Sequence, residues 1–88
     1  MLFTESVNHF KKYMINNERS KETIKGYSIE LRLLSNFLSE KYNGPVYLEE
    51  VTLPDLEDYL QKLKEKGNAP ASRNRSLYII RSFFNFCY

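Results

Sequence analysis

The sequence predicts an all-α fold of four helices. Apolar residues recur at three- and four-residue spacing in four separate stretches, and no stretch alternates as a half-buried strand does. Apart from Gly26, every Gly and Pro lies between those stretches or at the start of one. Four helices of about 13, 21, 14 and 19 residues joined by short loops pack as a compact bundle. A long coiled coil is excluded, because Gly44-Pro45 and Gly67 interrupt any sustained heptad.

The first helix is expected from about Thr4 to Asn16. Thr4 can cap it, Glu5 suits the positive end of its dipole, and Val7, Phe10 and Met14 share a face. Asn16-Asn17 ends it. Ser20 caps the second and longest helix, Lys21 to about Lys41. Its Ile24, Tyr27, Leu31, Leu34 and Leu38 fall within an arc of ~60° and form the core stripe, which Leu33 and Phe37 widen. Gly26 costs about 1 kcal/mol relative to Ala, which a close approach by a neighbouring helix or backbone would offset. Asn43-Gly44-Pro45 then breaks the chain.

Thr52 and Asp55 make a capping-box pair at the start of the third helix, with Val51 able to staple onto Leu56 and Pro54 harmless in the first turn. Leu56, Tyr59, Leu60 and Leu63 form its buried face, and Gly67 is a left-handed stop. The fourth helix opens at Pro70. Leu77, Ile80, Phe84 and Cys87 share one arc, with Ile79 and Phe83 beside it. Phe83, Phe84, Phe86 and Tyr88 crowd an end that has no helix-stop signal, as expected of a fragment whose next segment covers some of these rings.

With 88 residues, 42% hydrophobic and 15% aromatic, the chain is read as one small soluble domain over residues 1–88. One cysteine (Cys87) and one histidine (His9) exclude an intrachain disulfide, a zinc finger and a metal site; a Ser-His-Asp triad has no supporting constellation either. No cofactor is expected. No apolar run approaches the ~20 residues of a membrane span, and the N-terminus lacks a signal peptide's apolar stretch. Neither a membrane nor a small-molecule substrate is expected as partner, and the expected compartment is the cytoplasm.

Net charge is only +2, but it is segregated. Residues 1–44 sum to +2, residues 45–67 to −3, and residues 68–88 carry Arg73, Arg75 and Arg81 with no acid. On the second helix, Lys21, Lys25, Ser28, Arg32, Ser35 and Asn36 occupy one sector beside the core stripe. On the fourth, Asn74, Tyr78, Arg81, Ser82 and Asn85 do so, with Arg75 at the edge. Each is an acid-free strip of long donors, hydroxyls and amides, the composition that meets phosphates and base edges. A solvated face that happens to lack carboxylates is the plainer alternative.

Other residues read as structural. His9 is a surface or boundary histidine, and Cys87 an inert buried thiol. Tyr27 and Tyr59 belong to the core. Glu57-Asp58 beside Lys62 reads as a solvated face with an i,i+4 pair.

Ser20-Lys-Glu-Thr-Ile-Lys-Gly-Tyr27, followed by Leu31, Leu34, Phe37 and Leu38, resembles the signature S-x-x-T-h-x-x-Y-x-x-x-L-x-x-F/L-x-x-F-L. That signature belongs to the N-terminal core-binding domain of tyrosine recombinases, the phage-integrase and Xer-type family. Val51 to Leu60 is similar to that domain's third helix. Ala69-Pro-Ala-Ser72-Arg-Asn74-Arg75-Ser-Leu77, with Ile80-Arg81-Ser-Phe83-Phe84, resembles its last.

The resemblance implies a SAM-like orthogonal bundle of four helices that forms half of a clamp around duplex DNA at a recombination half-site. The second and fourth helices approach the major groove in that arrangement. By position it points to Ser20, Lys21, Thr23, Lys25 and Tyr27, then Asn74, Arg75 and Arg81, with Ser72 and Arg73 near the entry; Arg32 and Tyr78 join them from the two strips. Tyr27 is double-valued, with a ring in the core stripe and a hydroxyl within possible reach of a phosphate. Ala69 departs from the family pattern, which often has a capping Ser there.

The implied partners are double-stranded DNA and other recombinase protomers. The family's Tyr nucleophile and its Arg/Lys/His groups lie in a downstream catalytic domain, so this chain is expected to bind DNA and not cut it. A helical protein-interaction module docking through Phe83, Phe86 and Tyr88 is the alternative.

Overall fold

A computed structural model describes all residues, Met1 to Tyr88. It contains α1 (Phe3–Asn16), α2 (Lys21–Tyr42), a 3-10 turn (Leu48–Glu50), α3 (Leu53–Glu65) and α4 (Pro70–Cys87). The expected all-α bundle is present, with extents of 35 × 30 × 18 Å.

Helix ends follow local chemistry. Ser20 caps α2 by accepting a hydrogen bond from the Thr23 N–H at 3.1 Å. Thr52 and Asp55 form the reciprocal capping box of α3, the Thr52 N–H donating to Asp55 Oδ2 at 2.9 Å. The first three helices all end in a left-handed residue followed by a Schellman pair of bonds. These residues are Glu18 (φ 56°), Asn43 (φ 57°) and Gly67 (φ 85°). In each, the next N–H reaches back to close the turn: Arg19 to the Met14 carbonyl, Gly44 to Ser39 and Asn68 to Leu63. Glu18 holds this conformation without the relief that Gly or Asn would give.

The start of α1 departs from the expectation. Thr4 is not the cap; the helix begins at Phe3 behind Leu2, with no side-chain cap. The chain entry is held by backbone pairing instead. Leu2 and Tyr47 form an isolated antiparallel bridge, with Phe3 N–H donating to the Val46 carbonyl at 2.9 Å and Leu48 N–H to Met1 at 2.8 Å. This pairing sinks Phe3, Val46 and Leu48 into the core. Burying a side chain the size of Phe3 stabilises the fold by about 2–3 kcal/mol.

The core is built from Phe10 and Met14 of α1, the expected Tyr27, Leu31, Leu34 and Leu38 of α2, and Tyr59 and Leu63 of α3, with Phe3, Val46 and Leu48 added. On α4 the buried arc is Ser76, Ile79, Ile80 and Phe83, rotated from the expected one. Leu77, Phe84 and Cys87 lie at its rim, half-buried. The rotation follows from the neighbours of α4: α1, α2 and α3 all pack on it, and the Phe83 ring sits edge-on to Phe3 (5.3 Å) and Phe10 (5.6 Å). Leu33, expected to widen the α2 stripe, is half exposed, and Ser35, assigned to the polar strip, is buried.

Candidate nucleic-acid interface

α2 and α4 meet through their N-terminal halves. At Gly26 of α2, a Cβ would lie 2.6 Å from Nη2 of Arg75 on α4, so the missing side chain leaves the space that the guanidinium occupies. The close approach expected at Gly26 is therefore made by a side chain rather than by a backbone.

One turn further on, Glu30 of α2 accepts hydrogen bonds from Ser76 of α4 at 2.7 Å and from the Tyr59 hydroxyl of α3. Burial, reinforced by the Glu30 carboxylate, pushes the Tyr59 hydroxyl well above the ordinary phenol range, so it stays a donor. This carboxylate ties α2 to both α3 and α4, one turn from the place of Arg75.

The other sequence-derived residues separate into groups. Lys21, Lys25 and Arg32 are exposed and line a cleft between α2 and α1, where Lys11 and Arg19 join them. Neither Lys11 nor Arg19 was singled out from the sequence. Each lies on or beyond α1, and only the α1–α2 packing brings them to the α2 strip. Ser20 and Thr23 are tied to each other, the Ser20 hydroxyl donating to Thr23 Oγ1 at 2.8 Å. Tyr27 is 8% exposed with its ring 6.2 Å from Phe10, which leaves only its edge for any outside contact.

On α4, Arg73 and Asn74 line a hollow facing α3, together with Lys64 and Glu57. The α4 strip is thus acid-free along its own helix but has an acid across the hollow. Arg73 donates to the Asn68 carbonyl at 3.3 Å, at the start of a helix whose Ala69 provides no side-chain cap. Ser72, Tyr78 and Arg81 are exposed, with Tyr78 63% so.

The opposite corner of the bundle is organised differently. Lys41 donates to Asp55 at 2.7 Å and to Asp58 at 2.8 Å, and the Tyr42 hydroxyl donates to Asp55 at 2.8 Å. Asp58 therefore pairs across to α2 and not with Lys62, whose ammonium sits 5.2 Å above the Phe37 ring. Burial alone would raise the Asp55 carboxyl. Hydrogen bonds from Lys41, the Thr52 N–H and Tyr42 outweigh it and hold the group at about 2, against 3.8 ordinarily. Among all Lys and Arg side chains, Lys41 alone forms an ion pair.

His9 is exposed beside Phe86, and Cys87 is half-buried, its thiol pushed up by burial. Phe83, expected at an exposed aromatic end, is fully buried, so that surface reduces to Phe86 and Tyr88. No helix is long and apolar enough to cross a membrane.

Four helices around an aromatic core, with the Lys and Arg side chains other than Lys41 unpaired within the chain, define a small helical-bundle domain. The comparisons with known proteins make the class specific: the family described as "Phage integrase, N-terminal SAM-like domain" matches residues 7–88, and the chain belongs to that family. A tyrosine recombinase XerC from Caldanaerobacter subterraneus subsp. tengcongensis is 34% identical over 88 aligned residues, covering 80% of this chain. The match takes in 25% of that protein, so the chain spans about a quarter of the relative's length. No solved structure matches the chain.

Proposed function

We propose that this domain binds duplex DNA for a site-specific tyrosine recombinase, holding a recombination half-site through the N-terminal halves of α2 and α4. The observation that carries the reading is the seating of Arg75 against Gly26. It ties one cation of α4 to the α2 backbone, and apart from Lys41 the Lys and Arg side chains of both helices have no carboxylate partner. Lys21, Lys25, Arg32 and Arg73 anchor phosphates and release counterions; Ser20, Thr23, Ser72 and the Tyr27 hydroxyl add neutral phosphate contacts. Asn74, Arg75, Tyr78 and Arg81 supply base-edge contacts.

The domain binds without cleaving, since strand cleavage in the family needs groups of the catalytic domain. In the parent assembly, other protomers are its second partner. Residues 1–88 act as one unit, in the cytoplasm.

Fluorescence anisotropy with a labelled duplex at two salt concentrations tests the reading. Binding is expected at low salt and weakens steeply as salt rises, with a log–log slope of about −0.9 per phosphate neutralised. Lys25→Gln is expected to flatten that slope by about one contact. No binding at low salt, or an affinity indifferent to salt, overturns it. The alternative of docking through terminal aromatics loses its anchor, because Phe83 is inside the core.

A further inference from the structure

The cleft between α1 and α2 has a chemistry of its own. Lys11 stands on its α1 wall, Arg19 in the connecting turn, and Lys21, Lys25 and Arg32 on its α2 wall; no Asp or Glu lines it. None of these cations is paired within the chain. Between them the surface is apolar: Ile15 is 55% and Ile29 42% exposed, with Ile24 half-buried beside them. The Ser28 hydroxyl lies buried at the floor with no hydrogen-bond partner. From Thr4 to Ile15 the α1 wall rises about 16 Å, or three helical turns.

A phosphodiester backbone would answer the cations and leave both isoleucines in water. A segment with an apolar stripe flanked by carboxylates answers both at once, and a helix is the element that seats between two helices, 8–10 Å from each. We propose that the α1–α2 cleft is a docking groove for an acidic amphipathic helix of about three turns contributed by another polypeptide. Its apolar stripe lies on Ile15 and Ile29, and its carboxylates face Lys11 and Arg19 on one side and Lys25 and Arg32 on the other. The inference goes beyond DNA binding and does not depend on it; Lys25 and Arg32 are shared with the phosphate contacts of that reading, so helix and duplex compete for the α2 wall.

The test uses a fluorescein-labelled 15-residue peptide with a Leu stripe flanked by Glu, a scrambled peptide of the same composition, and a labelled duplex. All are titrated at about 0.15 M salt, where long-range charge effects are screened. Two double variants are compared with the parent chain, Lys11→Gln with Arg19→Gln, and Ile15→Ser with Ile29→Ser. All four positions are exposed, and melting curves verify the fold.

The striped peptide is expected to bind about tenfold more tightly than the scrambled one, and each double variant to weaken it about tenfold, while the isoleucine variant changes duplex affinity by less than about threefold. Equal binding of the scrambled peptide overturns the proposal, as does indifference to the isoleucine change. A tenfold loss of duplex affinity in the Lys11/Arg19 variant with the peptide unaffected also overturns it and makes the cleft a nucleic-acid track.

Discussion

Two corners of this small bundle handle charge in opposite ways. Where the end of α2 meets the start of α3, Asp55 is buried and takes hydrogen bonds from Lys41, Tyr42 and the Thr52 N–H, with Asp58 sharing Lys41. Lys41, Asp55 and Asp58 all have partners inside the chain. On the first half of α2 and along α4, Lys21, Lys25, Arg75 and Arg81 have no carboxylate partner, and Arg75 rests on the bare backbone of Gly26. Internally satisfied charge holds the fold together. Charge left unsatisfied, at a cost in self-repulsion, is available to a ligand.

The largest effect should come from breaking the satisfied corner. Asp55→Ala strips three donors of their acceptor and is expected to cost about 2–3 kcal/mol, lowering the melting temperature by roughly 10–20 °C. Duplex affinity measured well below that temperature should stay unchanged. The same corner sets an acid limit. Asp55 titrates lower in the folded chain than in the unfolded one, so its contribution is complete above about pH 4 and drains away as pH falls toward 2. Melting curves across that range should show the loss in the parent chain and a flatter response in Asp55→Asn.

The open corner should respond in the opposite sense. Arg75→Ala and Arg81→Ala are each expected to weaken duplex binding by about 1–1.5 kcal/mol, near tenfold, and to shift the melting temperature by less than about 3 °C. A large stability loss in either would make that arginine structural and dissolve the contrast. Gly26→Ala separates the two effects within one substitution. Helix propensity should stabilise the chain by up to ~1 kcal/mol while the new methyl displaces the Arg75 guanidinium, weakening duplex binding about two- to threefold. The smallest effect lies outside both corners: Glu18→Gly relieves a left-handed residue and should raise the melting temperature by about 2–4 °C with no change in binding.

The helices were legible in the sequence because their signals are local. Ser20, Thr52 with Asp55, Pro70 and Gly67 act within one turn of themselves, and all function as read except that Ala69 leaves α4 uncapped. The α2 stripe was equally plain, since Tyr27, Leu31, Leu34 and Leu38 share one narrow arc and all four are buried. What escaped depends on residues far apart in sequence. Phe3 is buried because Leu2 pairs with Tyr47, and nothing near Phe3 announces that bridge. The α4 arc was misplaced because its apolar residues spread over a wide sector, and only contacts from other helices, such as Phe83 against Phe3 and Phe10, decide which of them are buried.

The partner of Asp58 proved to be Lys41 on another helix, which an i,i+4 rule does not consider. Of the candidate interface, the α2 and α4 strips were visible as composition. Their surroundings were not: Lys11 and Arg19 extend one, Glu57 faces the other, and Gly26 gained its meaning only with Arg75 beside it.

The contrast between the corners is tested most directly by backbone amide NMR of the chain titrated with a duplex at low salt. Shift changes should concentrate in residues 20–26 and 70–75 and fade as salt is added, while the amides of Tyr42, Thr52 and Asp55 stay still. Changes centred on the Asp55 corner, or spread evenly over the surface, would contradict the account.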